Sequence, residues 1–271
     1  MDDLVADMLH TPLFDQAEGV RWRMSDIPWE RIDRAAASEP LRSLVKEIAF
    51  AELTTFSATR RFMTELADDV DFTQWISVWF YEESKHPHAL LRWLHHLGVG
   101  VDDKFIIRGR ATSPFMKSRM ATFVTNIISE MVASAAYTRL YRESPEPVLA
   151  RIGRNLAGDE ARHAASFYVY AQRHLERSPD RDADRRDALK VLYLWFHSND
   201  LVSHPVNELN GRNETRAALP GLDLAGSRDR ISRVIGALIG VELDQETDLV
   251  TQLGRLGGAR AQAPGDHHEA T

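Results

Sequence analysis

The amino-acid sequence predicts an all-α protein whose core is a bundle of four long helices. Long stretches rich in Ala, Leu, Arg and Glu, residues that form helix readily, fill the middle of the chain. Eleven prolines and fifteen glycines in 271 residues are too few for an all-β fold dense in turns. Apolar residues also recur every three to four positions along four segments of about 25 to 30 residues, the period of a helix with one buried face.

The first helix is expected over 39–67, where Glu39-Pro40 places a proline in a first turn that tolerates it. The second is expected over 72–97, after the short turn Asp68-Asp69-Val70-Asp71. Ser113-Pro114 opens a third over 113–142, and Ser144-Pro145 opens a fourth over 146–176. Short turns make each pair an antiparallel hairpin. Gly98 to Thr112, about 15 residues at about 3.3 Å each, is long enough to run the length of the bundle as a crossover. Accessory helices follow over 184–201 and 227–256, separated by a loop with Pro205 and Gly211. We expect one domain over 1–256 and a disordered tail over 257–271, which lacks apolar periodicity. His267 and His268 lie in that tail, where a flexible pair offers no preorganised metal site.

Forty acidic against 33 basic residues give a formal charge of -7 with the signs interspersed, so no nucleic-acid partner is expected. The absence of cysteine excludes disulfides, thiolate metal sites and iron-sulfur clusters, and leaves any metal to N and O ligands. Residues 1–10 carry three aspartates and no basic-then-apolar pattern, so they do not resemble a signal peptide. No run approaches the roughly 20 apolar residues that span a bilayer. A soluble cytoplasmic protein is expected.

The chemistry is carried by two Glu-x-x-His motifs, Glu83 to His86 and Glu160 to His163. A spacing of three puts both side chains on one helix face. In the second helix that face runs Phe72, Trp75, Trp79, Glu83, His86, Leu90, Trp93 and Leu97; in the fourth it runs Val148, Ile152, Leu156, Glu160, His163, Phe167 and Tyr170. The polar pairs therefore interrupt buried stripes. Burying them costs several kcal/mol unless they are paired or coordinated, and a metal satisfies both. A two-metal site in such a bundle takes one further Glu from each remaining helix. The third supplies Glu130, in the stripe Met116, Met120, Phe123, Ile127, Glu130, Ser134, Tyr137 and Tyr141. The first offers Glu52, in the stripe Leu41, Val45, Ile48, Glu52, Thr55, Thr59 and Phe62, with Glu47 the alternative on a less apolar face. Glu52 to Glu83 spans 31 residues and Glu130 to Glu160 spans 30, an internal repeat that delivers each set at one depth. Four carboxylates and two imidazoles suit iron or manganese better than a thiolate-loving metal. Asp159 is placed to hydrogen-bond the free nitrogen of a ligating His. Pro87 removes the backbone donor facing the Glu83 carbonyl, which predicts a kink; His88 is left open between a pocket role and an exposed helix side. Trp79, Met131 and Phe167 could line a substrate channel or simply fill core.

On Glu82-Glu83-Ser84-Lys85-His86, preceded by the aromatic stretch Trp75 to Tyr81, and on Asp159-Glu160-Ala161-Arg162-His163, the chain resembles the soluble acyl-carrier-protein desaturases of the ferritin-like di-iron superfamily, most clearly over 40–176. The resemblance implies a ferritin-like bundle with two Fe ions, or a Mn/Fe pair, held by Glu52, Glu83, His86, Glu130, Glu160 and His163, with no catalytic residue beyond these ligands. It also implies dioxygen as co-substrate, electrons from a ferredoxin-like donor, and an acyl or other apolar substrate, carried on acyl carrier protein, that is desaturated or hydroxylated. A homodimer is the expected assembly. An iron-binding, ferroxidase-type ferritin-like protein is the alternative. The chain departs from the family where a threonine usually follows the third-helix ligand by one turn, since Ala133 and Ser134 stand there. The radical tyrosine of a ribonucleotide-reductase-type subunit would fall at Leu90, and the extra histidine of an arylamine N-oxygenase at Leu156.

Overall fold

The computed structural model describes residues 8–111, 118–197, 227–243 and 246–258, and all regular structure among them is helical. The elements are α1 (His10–Val20), α2 (Glu39–Glu52), α3 (Thr55–Glu65), α4 (Val70–His96), α5 (Asp103–Gly109), α6 (Arg119–Glu143), α7 (Pro147–Arg177), α8 (Arg181–His197), α9 (Ser227–Ile239) and α10 (Glu246–Gly258). Short 3₁₀ turns at Met24–Asp26 and Trp29–Arg31 lie between α1 and α2. The α2–α3 segment packs on α4, α6 packs on α7, and α4 meets α7, so two hairpins close one bundle.

Helix starts follow local chemistry. The Ser38, Asp69 and Ser118 side chains accept the backbone N–H three residues on, capping α2, α4 and α6. The fourth bundle helix begins at Pro147, one residue after the expected start at 146, because the Glu146 carboxylate caps it by accepting from the Val148 and Leu149 amides. Glu146 is fully buried and also accepts from Trp93 Nε1 at 2.6 Å and the Asp33 amide at 3.1 Å, which ties α4 and the N-terminal segment to this corner. Helix α4 ends on Gly98, whose φ of 80° lets the Val99 amide reach back to the Leu94 carbonyl at 3.0 Å.

The structure corrects three sequence expectations. The first bundle helix is divided in two at Leu53–Thr54, immediately after Glu52, where the backbone dihedrals stay helical but the amide bonds tighten from the i−4 to the i−3 carbonyl. Here the hydroxyls of Thr54, Ser57 and Thr59 bond back to the carbonyls of Ala51, Thr54 and Thr55, competing with the regular ladder. Helix α5 lies within the predicted crossover and packs on this break, where a Cβ on Gly109 would lie 2.7 Å from Leu53 Cβ and 3.0 Å from the Phe50 carbonyl oxygen. The last predicted helix is likewise two, because Gly240 at φ 72° ends α9 and the Val241 amide bonds the Gly236 carbonyl. Helix α1 was not foreseen. It docks on α4 through Asp71, which accepts from the Leu9 and His10 amides at 2.9 and 2.8 Å.

Helix α4 runs through Pro87 as one continuous helix. The Ser113-Pro114 start, Met116, the Pro205–Gly211 loop and His267 and His268 lie outside the described residues, as does all but the first two residues of the predicted tail. No described helix is long and apolar enough to cross a membrane.

The core is divided. One apolar cluster holds Phe62, Phe72, Trp75, Trp79, Phe123 and Phe167, and a second holds Val45, Leu90, Trp93, Tyr137, Ile152 and Leu156. In α4 and α7 the change from one to the other falls across the two Glu-x-x-His motifs. The polar residues thus form a layer across the middle of the bundle.

Candidate metal centre

All six sequence-predicted ligands meet in this layer, and none is more than 5% exposed. Glu52 rather than Glu47 faces inward; Glu47 is exposed. The ligand atoms fall into two groups lying within 4.8 Å of one another, Glu52, His86 and Glu160 in one and Glu83, Glu130, Glu160 and His163 in the other. The His86 Nδ1 is 3.5 Å from Glu52, 3.3 Å from Glu160 and 3.8 Å from Glu83. The His163 Nδ1 is 2.8 Å from Glu83 and 3.2 Å from Glu160. The two motif glutamates therefore each approach both histidines, whereas Glu52 belongs with His86 and Glu130 with His163.

Both imidazoles present Nδ1 to the carboxylates because Nε2 is held from outside. His86 Nε2 lies 3.2 Å from Asp159, and His163 Nε2 lies 3.1 Å from Glu82. Asp159 was expected in this role; Glu82 was not. Each acid directly precedes a motif glutamate and reaches the histidine of the opposite hairpin. Asp159 also accepts from Trp22 Nε1 at 2.7 Å, and Arg162 contacts both Asp159 and Glu82. Lys85 lies 4.0 Å from Asp159 and over the Trp22 ring at 4.4 Å. The remaining glutamates have aromatic donors, again from the opposite hairpin: Tyr137 donates to Glu52, and Trp79 Nε1 to Glu130 at 3.3 Å.

Electrostatics show how crowded this negative charge is. Burial, reinforced by Glu160, pushes the Glu83 carboxyl up to about 7. Burial, Glu160 and Glu83 raise Glu130 well above the usual carboxylate range. Burial would raise Glu160 too, but the two histidines overcome it and hold it well below. Burial opposes charge on His86 and His163, yet the surrounding carboxylates hold both imidazoles well above the usual value. Outside this ring, burial works against Asp159, but the His86 hydrogen bond and nearby cations bring it to about 2. Glu82 is lowered against burial through His163. The two bracing acids are thus ionised acceptors, suited to orient a neutral, metal-bound imidazole.

Three buried atoms in the layer, His86 Nδ1, Glu83 Oε1 and Glu160 Oε1, have no hydrogen-bond partner. The His163 Nδ1 is close to Glu83 Oε1, but the pair lacks hydrogen-bond geometry. Orphaned donor atoms converging at one depth, in an N and O set, fit divalent metal ions of the iron or manganese type.

The remaining candidates separate cleanly. His88 is exposed. Trp79 and Phe167 belong to the core, while Met131 lines a cavity of about 510 Å³ between α6, α7 and α9. Ala133 is buried, and the neighbouring Ser134 hydroxyl donates to the Ala157 carbonyl at 3.0 Å. One turn after Glu52, the buried Thr55 hydroxyl has no hydrogen-bond partner. Leu90 and Leu156 are fully buried apolar residues.

No family model matches the chain, and no curated protein matches it in sequence. Among solved structures, an R2-like ligand-binding oxidase from Sulfolobus acidocaldarius is similar over 92% of this chain and 91% of its own, with a TM-score of 0.53 and 14% identity. At that identity the likeness carries the fold, a ferritin-like helical bundle.

Proposed function

We propose that the chain is a dioxygen-activating oxidoreductase with two metal ions, iron or a manganese–iron pair, acting on an acyl or other apolar substrate by desaturation or hydroxylation. The observation that carries this reading is the polar layer: six buried ligands, with unpartnered atoms of His86, Glu83 and Glu160 turned toward one another. Glu52, Glu83, His86, Glu130, Glu160 and His163 would together hold the two ions, Glu52 on the His86 side and Glu130 on the His163 side. When bound, the metal pair supplies redox electrons and open positions for dioxygen.

The chain's own residues fix the conditions. Asp159 and Glu82 hold each imidazole with Nε2 outward and Nδ1 inward. The Tyr137 and Trp79 donors limit how far Glu52 and Glu130 can swing. Apolar clusters on both sides exclude bulk water from the layer. A cavity of about 510 Å³, open to solvent on the outer flank of α6 and α7 and lined mainly by apolar residues that include Met131, Ala161 and Ala164, offers room for an apolar substrate beside the ligand-bearing turns, although none of the six ligands lines it. An external donor such as a ferredoxin-like protein would supply electrons. The buried Trp22, hydrogen-bonded through Asp159 to His86, supports entry from that side. We propose acyl carrier protein as the substrate's bearer and a homodimer as the assembly.

The test is anaerobic loading with Fe(II), metal counting, and addition of oxygen with acyl thioesters. Two irons per chain are expected, with the count collapsing in Glu83→Ala and His163→Ala. Fewer than two irons, unchanged by either substitution, would overturn the dimetal reading. Two irons that oxidise without product and accumulate as mineral would replace it with iron storage.

A further inference from the structure

We propose that the cavity between α6, α7 and α9 is a binding site for an anionic amphiphile, with Arg230 and Arg233 holding the charged head and the apolar chain lying along the flank of the polar layer. Its use as a substrate site rests on the oxidoreductase reading; the binding itself does not. The volume, about 510 Å³, is in the range of sites for small molecules. Ile127 and Met131 form one wall, Ala161 and Ala164 a second, and Val234 and Ala237 a third. The alanines create the space, since larger side chains on that face of α7 would fill it. Ala161 follows Glu160, Ala164 follows His163 and Met131 follows Glu130, so a chain in the cavity would lie beside the turns that carry three ligands.

Arg230 and Arg233 are the charged residues of the lining. A spacing of three puts them on one face of α9, both exposed. Neighbouring arginines are occupied: Arg185 donates to the Ile239 carbonyl, Arg186 to Leu256 and Arg228 to Phe196. Arg230 and Arg233 have no hydrogen-bond or ion-pair partner among the described residues. Two unspent guanidinium forks at the rim of an apolar space match a carboxylate or phosphate head on an aliphatic tail.

The experiment titrates the metal-free full chain with dodecanoate, dodecyl phosphate and dodecanol by calorimetry. Either or both anions should bind at least ten-fold more tightly than the alcohol, and the stronger anion identifies the head group. R230E/R233E should lose at least ten-fold in anion affinity while still loading two irons, which separates this site from the metal layer. Ala164→Trp should abolish binding of all three probes. Because that variant fills a buried-edge position, its helix content is checked by circular dichroism, and the exposed double variant decides the question independently. Equal affinity for anion and alcohol, no binding by the wild type, or unchanged affinity in R230E/R233E would overturn the proposal. So would loss of dodecanoate affinity in metal-free His163→Ala, because that would place the head among the metal ligands.

Discussion

Asp159 and Glu82 stand one residue ahead of the two motif glutamates, and each fixes the histidine borne by the other hairpin. Their influence should appear in metal affinity more than in folding, because an imidazole released from its brace can rotate its donor atom away. Asp159→Asn and Glu82→Gln should each weaken metal binding about 10- to 100-fold, measured by competition with a chelator of known affinity. Unchanged affinity with an intact helical spectrum would show that packing alone orients the rings. Asp159 was legible from its position beside Glu160. Glu82 was equally legible once the repeat is aligned, since Glu82-Glu83 matches Asp159-Glu160. Trp22 was not, because nothing local marks an indole 137 residues away in sequence as the donor to Asp159.

Helix α1 packs Leu13 and Ala17 against the bundle, and its start is anchored by one side chain of α4. The Asp71 carboxylate accepts from two backbone amides of α1's first turn and from Arg173 and Tyr170 of α7. Burial would raise it, but the Arg173 hydrogen bond and these amides hold it below the usual carboxylate value. A folded-state pKa below the unfolded one means the contribution is complete above the unfolded value, near 4, and is lost as pH falls through the folded value. Asp71→Asn should therefore cost about 1–3 kcal/mol at pH 7 in chemical denaturation, and the difference from wild type should shrink below pH 4. A pH-independent difference would assign the effect to packing. The elements that sequence revealed are those whose helical period of buried positions is longest, α4 and α7 above all, where even the polar pairs keep the spacing. The break after Glu52 was hidden because Leu41 to Phe62 keeps helical spacing across it, and hydroxyl back-bonding rather than Gly or Pro makes the turn. The break after α9 does carry a signal, Gly240 followed by apolar Val241, but the apolar period continues beyond it and masks the end of the helix.

Across the whole molecule, the polar layer separates two apolar clusters that share few side chains except through it. With metal bound, the layer is held by coordination; without it, the carboxylates rely on protons and on the braces. Metal removal should therefore raise amide exchange in the middle turns of α4 and α7 first and let the two halves exchange with separate stabilities, as read by hydrogen-exchange mass spectrometry. A single uniform change across both halves would show that the core acts as one unit regardless of metal. The reciprocal bracing has a further consequence, for how such a chain can vary. Its repeat suggests two interchangeable modules, each with a Glu and a Glu-x-x-His. Yet every histidine takes its orientation, and each outer glutamate its aromatic donor, from the other half. A hairpin exchanged at the 97–118 connection would arrive with a histidine whose supporting acid stayed behind. The two halves are consequently bound to change together, and the chain is inherited as one unit although it is written as two.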